Sequence, residues 1–184
     1  AHAREAGYFK NQITPLELTT RRKTVTFDND EFIRPETTTE SLASLRAAFT
    51  KDGLVTAGNS SGINDGTASL VLANSAALET HKVNPLARII AYGFGGVPPR
   101  IMGMGPVPAS EMALERSGLS VDDLDLVESN EAFAAQACAV SRQLNLDPTR
   151  VNPNGGAIAL GHPVGATGAI IITKLIHELH RING

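Results

Sequence analysis

The sequence predicts an α/β fold in which helices cover a sheet, and three observations carry that expectation. From about residue 56, apolar runs of strand length alternate with amphipathic or alanine-rich runs of helix length. Glycines and small polar residues gather at the joints, where turns are needed. With 42% hydrophobic and 4% aromatic residues over 184 positions, the composition is that of a globular chain able to bury a real core.

The elements follow in order. Residues 13–27, "ITPLELTTRRKTVTF", are rich in Thr and Val and alternate in part, which predicts two short strands. The polar "DNDEFIRPETTTES" reads as a turn. Leu42, Leu45, Ala48 and Phe49 fall on one helical stripe, so a short amphipathic helix is expected over 41–49. Up to about residue 55 the chain reads as an excursion. Beyond it, "TASLVLA" (67–73) is a buried strand, 75–82 a helix and "LARIIAYGFG" a second strand. "PVPASEMALERSGL" is a helix with proline near its start and Gly118 at its end. "DLDLVES" is a third strand, "NEAFAAQACAVSRQLN" an Ala-rich helix, "VNPNGG" a fourth strand and loop, and 165–182 a long final helix.

Charge and cysteine content narrow the function classes. The net charge is −3, and the longest basic run is Arg21 to Lys23. A nucleic-acid or anionic-membrane partner is not expected, because phosphate neutralisation would drive such binding weakly. No apolar stretch approaches bilayer length, and "AHAREAGYFKNQ" has no apolar signal region. One cysteine, Cys138, excludes an internal disulfide framework and suits a reducing, cytoplasmic setting. Ala1 is not a methionine, and the chain stops at Gly184 where the alternation calls for another strand. A fragment is expected.

Four places could carry chemistry. "GNSSGINDG", 58–66, allows close backbone approach and offers serine donors, but it also reads as a plain turn cluster. It is not a phosphate loop, for no Lys-Ser/Thr pair follows its last glycine. Likewise, "GMG" at 103–105 is no dinucleotide fingerprint, since Pro106 and Pro108 follow it. In "ESNEAF", Asn130 is placed to cap the next helix and Glu131 to complement its dipole, roles that need no catalysis. In "GHPVGATG", Gly161 and Pro163 flank His162 before a helix that starts near Gly165. Such an imidazole can take a proton from a nucleophile or donate to a developing oxyanion, and it can equally be a packed residue. Cys138, between Ala137 and Ala139, is expected to pack. His177 and His180, beside Glu178, read as a solvated face rather than a metal site, and no metal is expected.

Together, "GNSSGINDGTA", "NEAFAAQ" and "NGGAIALGHPVGATGA" resemble the thiolase family in order and approximate spacing, and "DEFIRPETTTESLASLRAAF" resembles its coenzyme A-binding loop region. The resemblance covers essentially the whole chain. It implies a layered αβαβα fold, here incomplete, with residues 1–55 as the end of the N-terminal half and the loop region, and 56–184 as a C-terminal domain lacking its last strands. It also implies acyl transfer between coenzyme A thioesters: two acetyl-CoA to acetoacetyl-CoA and CoA, and the reverse thiolysis. The reaction runs through a cysteine acyl-enzyme, with coenzyme A and acetyl-CoA as substrates and no tightly bound cofactor. A homo-oligomer, tetramer or dimer, is implied for the full-length protein.

Carried over by position, His162 would activate the nucleophilic cysteine and contribute to an oxyanion hole. Asn130 would hold a water on the thioester oxygen of the enolate-forming substrate. Ser61 would bond the pantetheine arm, lined by Ala57 and Gly58. Arg34 and Ser41 match positions at the nucleotide end, and Phe49, Ala132 and Phe133 match apolar positions along the tunnel. Cys138 corresponds to neither thiol of the family: one belongs to the N-terminal half and the other to a turn that would follow Gly184. The chain by itself is therefore expected to bind coenzyme A poorly and to be inactive. "NEAFAAQACAV" and the loop look more like the short-chain biosynthetic type than the degradative 3-ketoacyl-CoA type. A non-catalytic, lipid-binding relative is a further alternative.

Overall fold

Only one ladder closes within the chain. The computed structural model describes residues 1–184, and in it strand β1 (Leu16–Thr19) pairs antiparallel with β2 (Thr24–Phe27), Leu16 opposite Phe27 and Thr19 opposite Thr24. Both strands of the predicted pair are there. Period-two alternation puts Leu16, Leu18, Val25 and Phe27 on one face, and all four are exposed. A lone hairpin is marginal in water, so this one depends on whatever covers that face. Helix α1 (His2–Glu5) precedes it, with Ala3 and Phe9 buried nearby.

Helix α2 (Thr39–Ala43) is shorter than the 41–49 expected. Its start is a reciprocal cap: the Ser41 N–H donates to Thr38 Oγ1 at 3.2 Å, and the Thr38 N–H donates to Ser41 Oγ at 3.0 Å. It stops early because the backbone beyond finds another partner. Ala47 pairs antiparallel with Thr56, and the Ala48 N–H donates to Val55 O at 2.8 Å. Tertiary pairing outweighs the helical stripe there.

Of the remaining helices, the first two and the last lie close to their expected places, whereas the third starts four residues later than expected and the fourth was not expected. Helix α3 (Ser75–His81) is capped by Asn74, whose Oδ1 accepts from the Ala77 N–H at 2.9 Å. Helix α4 (Pro106–Ser117) opens on proline and ends on Gly118 with φ +71°. Helices α5 (Ala134–Gln143) and α6 (Ala157–Leu160) precede α7 (Thr167–Ile182), which buries Thr167, Lys174 and Glu178 along one side. No helix is long and apolar enough to cross a membrane.

The strand expectations fare differently. "DLDLVES" and "VNPNGG" meet through a single parallel bridge, Val127 to Val151, with N–H···O bonds of 2.9 Å on either side. Residues 67–73 and 86–95 form no ladder at all. A strand needs another extended segment to pair with, and no segment of this chain forms a backbone ladder with either. The second is held instead by two helices. Arg116 of α4 donates to Tyr92 O at 2.8 Å and stacks over Tyr92 and Phe94, while His180 Nε2 of α7 lies 2.9 Å from Leu86 O. Val71 is 95% exposed and Ile89 69%, so the apolar faces meant for a core stand uncovered.

With 12 of 184 residues buried, burial offsets little of the entropy of ordering the chain. Expressed by itself, the 184-residue chain is expected to unfold broadly and at low temperature and to bind a hydrophobic dye. Calorimetry checks this, and a cooperative transition at high temperature would contradict it.

Candidate active site

A short extended stretch, Asn59–Asn64, joins the three motifs. On one side it pairs antiparallel with "AFA". The Ser61 N–H and Ser61 Oγ both donate to Ala132 O at 3.1 Å, the Ala134 N–H donates to Asn59 O at 2.9 Å, and Ser60 bridges Phe133. On the other side it pairs parallel with the histidine loop. The His162 N–H is shared between Gly62 O and Asn64 Oδ1, each at 3.2 Å, and Ile63 bridges His162. One stretch of backbone thus sets the spacing of Ser61, Ala132, Phe133 and His162.

That pairing corrects two expectations. Asn130 caps no helix, because α5 begins at Ala134 behind Phe133, which offers no side-chain cap. The "NEA" residues form no first helical turn, because Ala132 and Phe133 pair with Ser60 and Ser61 instead. Asn130 Oδ1 is buried and makes no hydrogen bond within the protein. Nor does Glu131 serve a helix that starts at its own position. Its carboxylate accepts from Asn152 Nδ2 at 2.9 Å and from the Ile158 N–H at 3.2 Å, at the start of α6. Asn152 completes the tie, exchanging bonds of 2.8 and 2.9 Å with the Ser129 backbone. Gly156 lies against the Glu131 carboxylate so closely that a Cβ would collide with it.

Gly161 has φ +99°, and a Cβ there would lie 2.5 Å from Asn64 Oδ1. Only glycine suits both demands. The next residue, half-buried His162, places its Nδ1 2.8 Å from the hydroxyl of buried Thr167. No hydrogen bond within the chain engages Nε2.

The other expected site residues divide into two groups. Phe49 meets Phe133 edge to face, ring centroids 6.3 Å apart, and Gly58 packs against Leu42 and Leu45 at the end of α2. Ala57 is exposed beside it. Arg34 is exposed, and its side chain bonds to no other expected site residue. Ser41 also donates its hydroxyl proton to Thr38 O at 2.8 Å, so its free capacity is as an acceptor. Cys138, expected to pack, is exposed, because Ala135, Cys138 and Arg142 form the uncovered stripe of α5. No cluster of three or more His, Cys, Asp or Glu side chains could hold a metal ion.

Beneath the site lies a buried ion pair that sequence reading missed. Lys174 Nζ of α7 sits 2.7 Å from Glu128 Oε2 and 2.6 Å from Gly155 O, with side chains 7% and 2% exposed. Burial pushes the Glu128 carboxyl above the usual carboxylate range, against the pull of the ammonium. One turn on, the Arg181 guanidinium grips Glu178 with bonds of 2.6 and 2.7 Å and holds that carboxyl below the usual range. Arg181 also stacks 4.1 Å over the Tyr8 ring, tying α7 to the segment after α1. A lysine and a glutamate forty-six positions apart carry no local signal of their meeting.

Two family models match the chain: "Thiolase, N-terminal domain" over residues 1–76 and "Thiolase, C-terminal domain" over residues 83–184. The chain is 55% identical over 181 residues to a β-ketothiolase of Cupriavidus necator, covering 98% of this chain and 46% of that protein. The crystal structure of the Bacillus anthracis acetyl-CoA acetyltransferase superposes with a TM-score of 0.96 at 52% identity, covering 99% of this chain and 46% of that one. Human mitochondrial 3-ketoacyl-CoA thiolase in complex with CoA gives 0.89 at 46% identity, over 100% and 45%. The chain therefore spans about half the length of the relatives it matches.

Removing the buried ammonium with Lys174→Met is expected to cost about 3–5 kcal/mol at neutral pH, because Glu128 is left buried and unpaired. A carboxyl with a raised folded pKa adds stability that is present below its ordinary value and lost as pH rises through the raised one. The cost should therefore shrink in acid, where Glu128 is protonated in both states. Denaturant titrations across pH measure it, and a cost that grows in acid would overturn this account.

Proposed function

The chain belongs to the thiolase family, and on that premise we propose that the protein carrying it transfers acyl groups between coenzyme A thioesters. Its backbone is part of the thiolase fold. The observation that carries the proposal is the Asn59–Asn64 stretch, which brings "NEAF" and the histidine loop to its two sides. We read the substrates as acetyl-CoA and acetoacetyl-CoA, with CoA released in condensation and consumed in thiolysis. No other cofactor enters this reading.

In thiolysis, a cysteine thiolate attacks the keto carbon of acetoacetyl-CoA. The carbon–carbon bond breaks, the electron pair leaves as the enolate of acetyl-CoA, and that enolate is protonated. A coenzyme A thiolate then takes the acetyl group from sulfur. The sole cysteine here, Cys138, lies exposed on α5 and makes no hydrogen bond to His162, so the nucleophile is assigned to a part of the protein outside these residues.

His162 is the group assigned to take the thiol proton through Nε2, which no other group of the chain engages. Asn130 is assigned to hold a water on the enolate's thioester oxygen. Its buried, unpartnered Oδ1 supports this, since such an oxygen calls for a donor. Ser61, Ala57 and Gly58 are placed along the pantetheine arm, and Phe49, Ala132 and Phe133 along the apolar passage, supported by the Phe49–Phe133 contact. Arg34 and Ser41 are placed at the nucleotide end, where a guanidinium suits phosphate. The uncovered faces of 67–73 and 86–95 are read as meeting the remainder of a thiolase, in a dimer or tetramer, in the cytoplasm.

A degradative 3-ketoacyl-CoA thiolase is the second reading, favoured by the likeness to the human mitochondrial enzyme. Rates on acetoacetyl-CoA against longer 3-ketoacyl-CoA esters separate the two. His162→Ala is expected to reduce thiolysis by on the order of 10²–10⁴-fold, and wild-type turnover in that variant would sink the assignment. Asn130→Ala should lose about 10²-fold or less, chiefly in condensation. Normal condensation kinetics would remove its water-holding role.

A further inference from the structure

The hydroxyl of Thr167 stands between two groups. It lies 2.8 Å from His162 Nδ1 and 2.9 Å from Pro163 O, and Thr167 is 7% exposed. A hydroxyl carries one proton and can accept as well as donate, whereas a carbonyl oxygen can only accept. Were the hydroxyl proton directed at Nδ1, two oxygens would face each other at 2.9 Å with no hydrogen between them. Directing it to Pro163 O satisfies that contact, and Nδ1 must then be the donor. Both contacts become hydrogen bonds only in this arrangement.

The backbone makes that choice durable. Thr167 opens α7, and Pro163 is its i−4 carbonyl, the partner a threonine hydroxyl reaches in its favoured helical rotamer. The Thr167 N–H donates to the same carbonyl at 2.9 Å, so the loop from Pro163 to Thr167 is closed on itself. At the other end, His162 is pinned through its N–H to Gly62 and Asn64. The ring is therefore oriented from both sides.

We propose that Thr167 is a positioning residue for His162: its buried hydroxyl accepts from Nδ1–H and leaves Nε2 as the atom where protons come and go. The bond persists when the ring is charged, since the imidazolium also carries a proton on Nδ1. Thr167 does not move a proton itself. An unheld ring would populate both tautomers, and the fraction with a protonated Nε2 and a bare Nδ1 could not act as a base on a thiol at Nε2. The inference rests on the acyl-transfer reading for its consequence, while its structural content stands apart from that reading.

The test is heteronuclear NMR of the His162 ring nitrogens in the protein that carries this chain, comparing wild type, Thr167→Ser and Thr167→Val, with steady-state thiolysis alongside. The neutral ring is expected to show a protonated Nδ1 and a bare Nε2 in wild type and T167S, and both tautomers in T167V. The turnover of T167V should fall about 10²-fold with KM unchanged, and T167S should recover most of it. A protonated Nε2 in the wild-type neutral ring overturns the proposal, as does an unchanged tautomer in T167V. Should T167V fail to fold, the wild-type and T167S spectra decide the matter. If the expected tautomers appear in a protein with no thiolysis, the acyl-transfer reading fails and the coupling of Thr167 to His162 stands.

Discussion

Main-chain hydrogen bonding along Asn59–Asn64 is the constraint on which the site depends. Its carbonyls and amides serve "AFA" on one edge and the histidine loop on the other. Small residues are required for that double service. Ser60, Ser61 and Gly62 leave room on both sides, and Phe32 closes over Gly62 from a third direction. The backbone, not any one side chain, sets how far Ser61 stands from His162. Main-chain bonds on both edges are also less easily displaced than a surface ion pair, because each restrains its neighbours.

A second layer, made of buried polar groups, supports the first. Glu131 and Asn152 join the "ESNEAF" and "NPNGG" turns, and Lys174 ties Glu128 to Gly155 from the helix behind. Such groups are costly unless paired, so they hold one arrangement and penalise others. The two carboxyls of α7's neighbourhood pull in opposite senses with pH: burial lifts Glu128, and the Arg181 fork lowers Glu178. Glu178 therefore adds stability above the ordinary carboxylate value that is lost in acid, while Glu128 favours the acid side.

Much of the architecture was legible from residue pattern. Proline and glycine marked both ends of α4, and the hairpin followed from Thr and Val over 13–27. Composition also identified 67–73 and 86–95 as strand-like, but a ladder needs a neighbour, and sequence pattern does not say whether one is present. Asn130 misled because asparagine caps helices locally, whereas pairing of Ala132 with a residue seventy-one positions away delays the helix to Ala134. Thr167 was invisible for a related reason. Its contact with His162 depends on α7 starting at residue 167, two residues later than the glycine at 165 implied. In the site itself, glycine spacing pointed to the loop, and the ion pair beneath it left no trace in spacing.

The segment 86–95 is held by Arg116 and His180 rather than by a ladder, and this bears on the order in which the molecule assembles. Arg116 lies 24 residues from Tyr92, and His180 lies 94 from Leu86. The nearer anchor closes first, since short loops cost less entropy to form. The segment is thus docked on α4 before α7 arrives, with its amides still open to any extended chain that comes near. During that interval it is open, as 67–73 is, to wrong pairing and aggregation. Side chains from two helices hold the segment in place while its amides stay open to an extended partner.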